Sequence, residues 1–297
     1  MAVKDYARSR RRGTTTEHET TESFDLPAII GVFSSILFDM DGTLIDSTDA
    51  IVKHWERYVA TIYNFMVNRS HKANRVGKMY GLDPKIILAT SHGRRSIDMF
   101  KEIDPANANW ERKLFQNAYA KFWSSQILVI ADLYVDVQNL EGQIPLLFGS
   151  SATEVPGARS FLSQVRAFQV PWAIVTSGTR PLVTGWLKIL NIPFPPQLIT
   201  AEDVENGKPD PACYLLGQKK LGMEGCRSDG TLVIEDAPAG IRAGKAAGFK
   251  VLGLATTHEA EELREAGADW VVGDLRSMII SRGNGGHSVK VEIRDTL

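Results

Sequence analysis

The feature that most constrains the fold is an apolar run, Ile36 to Phe38, followed directly by Asp39-Met40-Asp41-Gly42. A short apolar run that ends in acids and a glycine is typical of a buried strand in a parallel sheet. Gly42 gives the chain the conformational freedom to bend directly after the strand, so both acids can reach one site. Ligands of open α/β sheets bind at the carboxyl ends of the strands, so a site is expected here. Taken alone, Asp41-Gly42 could instead be the turn of a hairpin.

Most of the remaining chain alternates apolar strands with helices, which predicts a parallel α/β sheet covered on both faces, a Rossmann-like core. After the first strand, the predicted strands are Trp172–Val175, Gln197–Thr200, Thr231–Ile234, Val251–Ala255 and Trp270–Val272. We predict that Trp270–Val272 is the last strand. The predicted helices are Ala158–Phe168, Pro181–Leu190, Ala212–Leu221 and Pro238–Gly248.

Between residues 48 and 155 the apolar pattern changes to the three- and four-residue steps of a helix, as at Ile51, Trp55, Tyr58 and Val59. We therefore predict a second, smaller helical domain at 48–155, inserted into a core formed by 23–47 and 156–297. Residues 1–22 are polar and without periodicity, which predicts a disordered tail.

Composition limits the possible partners. The formal net charge is −1, which argues against a nucleic-acid partner. The two cysteines, Cys213 and Cys226, are too few for a disulfide framework and suit a reducing compartment. No apolar run approaches the ~18 residues that span a membrane. We expect a cytoplasmic monomer that acts on a small molecule and has no membrane partner.

Four polar clusters follow or flank predicted strand ends and should meet at one edge of the sheet. They are Asp39 with Asp41, Thr176-Ser177-Gly178, Lys208, and Glu235-Asp236. Three aspartates offer the hard oxygen ligands that Mg²⁺ prefers. A strand-to-helix turn at Thr176 and Ser177 favours an anion, and Lys208 adds positive charge. The set indicates phosphoryl transfer, and the absence of a GxxxxGK[ST] motif excludes a P-loop.

Each cluster also has an ordinary structural interpretation. Thr176-Ser177 and Glu235-Asp236 could cap the helices that follow them. Lys208 could be a solvated loop lysine. The functional interpretation depends on all four clusters meeting.

In chain order, four of these motifs resemble those of haloacid-dehalogenase-superfamily phosphatases. They are Asp39-Met40-Asp41-Gly42-Thr43, Thr176-Ser177-Gly178, Lys208-Pro209 and Glu235-Asp236. Further stretches resemble the fungal glycerol-3-phosphatase and 2-deoxyglucose-6-phosphatase group. They are Ser91–Arg95, Leu140–Pro145, Val155–Ala158, Trp172–Arg180 and Glu235–Gly248.

The resemblance implies a role for each motif residue. Asp39 would be the nucleophile that forms an aspartyl-phosphate, and Asp41 would be the general acid and base. Mg²⁺ would be held by Asp39, the backbone carbonyl of Asp41 and Asp236, with Glu235 binding the ion directly or through another ligand. The transferring phosphoryl group would be bound by Thr176, Ser177, Gly178 and Lys208.

The resemblance also makes the helical insertion a cap that closes over the substrate. Its candidate substrate contacts are His92, Arg94, Arg95 and Glu141. These arginines could instead belong to a solvated loop, and Glu141 could form a salt bridge that stabilises the cap. Two stretches, near 59–76 and 112–133, have no counterpart in the family pattern, which suggests translated introns or lineage-specific inserts.

We therefore expect a Mg²⁺-dependent phosphomonoesterase for a small polyol or sugar phosphate, of the glycerol 3-phosphate or 2-deoxyglucose 6-phosphate type. One alternative is a hexose phosphomutase of the same fold. Another is a catalytically weak regulator that binds a phosphorylated metabolite.

Overall fold

The structure is a computed structural model of the 297-residue chain. It describes residues 28–54, 57, 93–96, 98, 137–224, 230–283 and 288–297. The predicted tail, both predicted inserts and His92 lie outside the described residues. Among the helices that the structure describes, none combines the length and the apolarity that a membrane crossing requires.

A six-stranded sheet forms the centre of the molecule, and all of its pairings are parallel. In spatial order its strands are β6 (Gln197–Ile199), β5 (Trp172–Val175), β2 (Ser35–Phe38), β7 (Thr231–Glu235), β8 (Lys250–Leu254) and β9 (Trp270–Val272). The predicted parallel α/β core is therefore confirmed. Strand β2, which Asp39 follows directly, lies between β5 and β7, so the loops after these three strands share one edge.

Helices cover both faces of this sheet. They are α1 (Val137–Phe148), α2 (Ala158–Ala167), α3 (Arg180–Ile189), α4 (Ala212–Lys220), α5 (Pro238–Ala246) and α6 (Ala260–Glu265). Successive residues of β2 enter opposite apolar clusters: Ile36 and Phe38 pack with Phe161, whereas Leu37 packs with Tyr214. This double burial explains why Ile36, Leu37 and Phe38 are all apolar, and not only alternate residues.

A second sheet, which the sequence analysis missed, is three-stranded and antiparallel. It joins β1 (Ile29–Phe33), β11 (Val289–Ile293) and β10 (Met278–Arg282) in that order. The prediction that Trp270–Val272 is the last strand is thus wrong. The signal was present, because Val289, Val291 and Ile293 alternate with Lys290 and Glu292, as in a strand buried on one face.

The region from residue 48 to 155, predicted to be an insertion, is flanked by a two-stranded antiparallel ladder, β3 (Ile45–Asp46) with β4 (Thr153–Glu154). Residues 48–54 are helical. Helix α1, the last helix before β4, packs directly on α3, where the Pro145 ring lies over Gly185. Its Ile144 belongs to the main apolar core. This end of the insertion is therefore attached firmly to the sheet domain.

Candidate active site

The chain turns sharply after β2, as the sequence requires. Asp39 is buried, and its N–H donates to the carbonyl of Ile234 at 3.0 Å. The carbonyl of Met40 then accepts N–H bonds from residues 43, 44 and 45, which closes the turn. Gly42 has φ +87°, and a Cβ there would lie 2.1 Å from Asp236 Oδ2. A glycine is needed at this position for both reasons.

Lys208 joins the loops after β2, β5 and β7. Its Nζ donates to Asp39 Oδ1 at 2.5 Å, Glu235 Oε1 at 2.6 Å and the Val175 carbonyl at 3.2 Å. The side chains of Asp39, Lys208 and Glu235 are all nearly inaccessible to solvent. Three of the four predicted clusters therefore meet at one buried ammonium group.

Tyr214, in α4, completes this network, and the sequence analysis missed it. Its hydroxyl donates to Glu235 Oε1 at 2.8 Å, and the Lys208 ammonium lies 5.1 Å from the centre of its ring. The other carboxylate oxygen of Glu235 accepts the N–H groups of Asp236 and Ala237. In the sequence, Tyr214 has the pattern of an ordinary core residue, so only its tertiary contacts identify it.

Asp236 is held by hydroxyl groups from two loops. Thr43 Oγ1 donates to its Oδ1 at 3.2 Å, and Thr257 Oγ1 donates to its Oδ2. The ring of His258 lies beside it, with Nδ1 3.1 Å from the Asp236 carbonyl oxygen. The sequence analysis missed Thr257 and His258. They follow the apolar strand β8, which is the same signal that identified the other clusters.

Negative charge exceeds positive charge in the described part of this site. Burial, together with the nearby Glu235, raises the pKa of Asp236 to about 8. Burial also raises the pKa of Asp39 well above its usual range, against the opposing charge of Lys208. Burial lowers the pKa of Lys208, but Asp39 and Glu235 outweigh it and raise that pKa above its ordinary value.

This charge excess fits a bound divalent cation. One oxygen from each of Asp39, Glu235 and Asp236 lies within 4.8 Å of the other two, and all three residues are buried. Carboxylate oxygens are the ligands of hard cations, and a cation would offset the charge that raises these pKa values. The donor set and its charge therefore suit a metal ion.

Asp41 lies beyond the metal-suited cluster and bonds differently. Its Oδ1 accepts a hydrogen bond from Ser47 Oγ at 2.5 Å. Burial raises its pKa, while the Ser47 bond and the charge of Lys208 oppose that rise. A carboxyl group with a raised pKa is better suited to donating a proton than an ordinary carboxylate.

The loop after β5 supplies polar groups at the same edge. Thr176 is buried, and its Oγ1 accepts the Gly178 N–H at 3.0 Å. Ser177 Oγ donates to the carbonyl of Gly93 at 2.9 Å. Within the described residues, the N–H groups of Met40, Asp41 and Ser177 donate to no backbone carbonyl. Such N–H groups are suited to binding an anion.

The predicted substrate contacts of the cap lie in different environments. Glu141 is buried, with one oxygen accepting the Ser96 hydroxyl and the other accepting the Thr179 N–H at 2.8 Å. It thus links Ser96, in the predicted cap, to the loop after β5, although through hydrogen bonds and not the salt bridge considered above. Burial raises its pKa. Arg94 is half-buried.

Arg95 requires a correction. It is only 2% exposed, and its guanidinium group binds Asp98 and three backbone carbonyl oxygens of the loop after β6. These five hydrogen bonds match the five N–H donors of an arginine. The expectation that Arg95 contacts substrate is therefore not supported, because its donors are already used within the protein.

Comparisons with known proteins identify the relatives of this chain. A family model described as haloacid dehalogenase-like hydrolase matches residues 33–248. Glycerol-1-phosphate phosphohydrolase 1 of Saccharomyces cerevisiae is 34% identical over 84% of this chain and 86% of its own length. The 2-deoxyglucose-6-phosphate phosphatase 2 of the same yeast is 30% identical over 84% and 90%. A crystal structure of a hydrolase from Pseudomonas syringae has a TM-score of 0.56 at 24% identity, covering 82% of this chain and 94% of that one.

Proposed function

The chain belongs to the haloacid dehalogenase-like hydrolases, and from this membership we propose that it is a Mg²⁺-dependent phosphoric monoester hydrolase. Its substrate would be a small polyol or sugar phosphate, of the glycerol 3-phosphate or 2-deoxyglucose 6-phosphate type. The observation that carries the proposal is the buried Asp39, held by Lys208 beside Glu235 and Asp236 at the tip of β2. The names of the two yeast relatives support the substrate class.

Asp39 is the proposed nucleophile. One of its carboxylate oxygens attacks phosphorus, the bond to the leaving oxygen breaks, and Asp41 gives its proton to the departing alkoxide. The aspartyl-phosphate is then hydrolysed by water: Asp41 takes back a proton, the water oxygen bonds to phosphorus, and Asp39 is released. The raised pKa of Asp41 suits both proton transfers.

Asp39, Asp236 and the backbone carbonyl of Asp41, with Glu235 directly or through another ligand, would hold Mg²⁺. When bound, the ion supplies positive charge that reduces the repulsion between the Asp39 carboxylate and an anionic phosphate. Thr43 and Thr257 orient Asp236 for this role through their hydrogen bonds to its two oxygens.

The phosphoryl oxygens would be bound by Thr176, Ser177, Gly178 and Lys208. The N–H groups of Ser177, before α3, and of Met40 and Asp41, in the turn after β2, add donors without carrying a full charge. We propose that the region between residues 48 and 155 is the cap over this site, with Arg94 and His92 as its substrate contacts.

Phosphate release from a panel of sugar and polyol phosphates, with and without Mg²⁺, tests the function. We expect Mg²⁺-dependent release from at least one small polyol or deoxyhexose phosphate, without any added sugar bisphosphate. A requirement for a bisphosphate, with phosphate transferred back to sugar, would indicate a mutase. Thermal shifts by these compounds with no release by the wild-type protein would indicate a binding protein and contradict the proposal.

The raised pKa of Asp236 predicts how stability depends on pH in metal-free buffer. Its pKa rises from 3.8 to about 8 on folding, so the folded state binds the proton more tightly than the unfolded state. The free energy of unfolding should therefore fall as pH rises from about 4 to about 8. Mg²⁺ should raise the melting temperature more at pH 8 than at pH 5, since protons compete with the metal at low pH.

The Asp236→Asn variant is the matched control, because other carboxyl groups also contribute to the pH dependence. Without metal, the difference in melting temperature between wild type and Asp236→Asn should change between about pH 4 and pH 8. With saturating Mg²⁺, this difference should stay constant over the same range. Equal stabilisation by Mg²⁺ at pH 5 and pH 8 would contradict the assignment of Asp236 to the metal site.

A further inference from the structure

A short stretch of the cap region lies across the candidate active site. We call its described residues, 93–96 and 98, the bridging segment. The carbonyl of Gly93 accepts the hydroxyl of Ser177, one of the proposed phosphate-binding residues. Gly93 also has φ +72°, and a Cβ there would lie 2.6 Å from the Cβ of Ala237, next to Asp236. The segment therefore contacts the loops after β5 and β7.

Arg95 fixes the bridging segment to the loop after β6. Its Nε and Nη2 bind the two carboxylate oxygens of Asp98 at 2.7 and 2.8 Å, which holds the guanidinium plane. Nη1 then donates to the carbonyl oxygens of Ala201 at 3.2 Å and Val204 at 2.9 Å, and Nη2 to that of Glu205 at 3.0 Å. An arginine this deeply buried and this fully bonded is a structural connection between two segments distant in sequence.

The loop that Arg95 binds leads directly to the proposed catalytic lysine. Glu205 is followed by Asn206, Gly207 and Lys208. Gly207 passes so close to the guanidinium group that a Cβ there would lie 2.5 Å from Arg95 Nε. At its other end the loop is bonded to the phosphate-binding turn, since the Ala201 N–H donates to the Gly178 carbonyl at 3.0 Å. The position of this loop therefore affects both the backbone at Lys208 and the turn at Gly178.

We propose that Arg95 is a positioning residue that ties the bridging segment to the 201–208 loop and so holds Lys208 against Asp39. The inference rests on the proposed function and adds a residue that acts without touching the substrate. Loss of the guanidinium group removes the N–H donors that bind three carbonyl oxygens of the loop. The loop must then rearrange, and Lys208 moves with it. Lysine cannot replace Arg95, because it has three donors at one point and lacks the planar fork.

The test compares Arg95→Ala, Arg95→Lys and Asp98→Asn on a polyol phosphate and on an aryl phosphate. Misplacing Lys208 should lower kcat by about 100-fold for Arg95→Ala on both substrates, with little change in KM. Arg95→Lys should lose nearly as much, and Asp98→Asn should lose less. Added guanidinium ion should restore part of kcat in Arg95→Ala and none in Arg95→Lys.

Arg159→Ala is the matched control. Arg159 also binds a carboxylate, Glu154, and two carbonyl oxygens, those of Leu190 and Asn191, but it lies at the surface between α2 and α3. Its loss should leave kcat within about twofold of wild type, as is usual for an exposed ion pair.

Three results would overturn the proposal. One is wild-type kcat in Arg95→Ala; another is a higher KM for the polyol phosphate alone, which would restore Arg95 as a substrate contact. The third is a loss of kcat that guanidinium does not reverse.

Amide hydrogen exchange in residues 201–208 gives a measurement independent of activity. The exchange rate should rise in Arg95→Ala and not in Arg159→Ala. Hydrogen exchange tests the role of Arg95 even if the wild-type protein releases no phosphate. A lack of phosphate release by wild type would contradict the proposed function and not the position of Arg95. If Arg95→Ala does not fold, Arg95→Lys and Asp98→Asn carry the same comparison.

Discussion

Replacing Asp39 by Asn should abolish phosphate release while leaving the protein folded. Asparagine has nearly the same shape, but its amide cannot attack phosphorus or form the aspartyl-phosphate. Loss of the nucleophile should cost about 10⁴-fold or more in kcat. Because burial raises the pKa of Asp39, removing its charge relieves part of the charge excess at the site. The melting temperature in metal-free buffer should therefore not fall.

The measurement is phosphate release by Asp39→Asn, with the melting temperature recorded on the same sample and the side chain checked by mass spectrometry for deamidation. Asp49→Asn serves as the control, because Asp49 is an exposed aspartate paired with Lys53 on the helix that follows the same loop. It should retain wild-type kcat. Activity in Asp39→Asn above about one hundredth of wild type, without deamidation, would contradict the nucleophile assignment.

Replacing Lys208 by Met should remove activity and destabilise the metal-free protein. Lys208 is the ammonium group that Asp39 and Glu235 share, and methionine fills similar volume without a charge. Removing one partner of a buried ion pair usually costs about 3–5 kcal/mol, because a buried charge is left uncompensated. The loss should be larger at pH 8 than at pH 5, because the raised pKa of Asp39 favours proton uptake by that carboxyl group as pH falls, and a neutral carboxyl group needs no partner.

Chemical denaturation at both pH values measures this effect. Lys250→Met is the matched control: Lys250 also binds an aspartate, Asp269, and lies 5.8 Å from the centre of an aromatic ring, that of Trp270. Its side chain is 42% exposed, so its loss should cost no more than about 1 kcal/mol. Equal stability of Lys208→Met and wild type at pH 8 without metal would show that Lys208 does not balance the carboxylates.

The sequence was informative where local pattern and topology act together. The apolar runs before Asp39, Thr176 and Glu235 marked three strand ends, and parallel pairing brings such ends to one edge. The antiparallel sheet of β1, β10 and β11 was not predicted, although β11 alternates clearly, because β1 pairs with a strand at the other end of the chain.

Arg95 illustrates the opposite case. Its neighbours in sequence indicate a charged loop over a substrate, yet its acceptors are carbonyl groups more than 100 residues away in the chain, which no local pattern identifies. Tyr214 was missed for the same reason, since it acts through a hydrogen bond to a distant carboxylate.

By itself, the sequence determined the parallel core, the positions of the acids and lysine at its edge, and the class of chemistry they indicate. The reason is that strand burial and chain direction are recorded in residue type and spacing. Only the tertiary structure decided which donor meets which acceptor: Lys208 between Asp39 and Glu235, the threonines on Asp236, and Arg95 on the 201–208 loop. Those pairings depend on how segments distant in sequence pack together. The residue pattern of a single segment does not specify its distance from another segment.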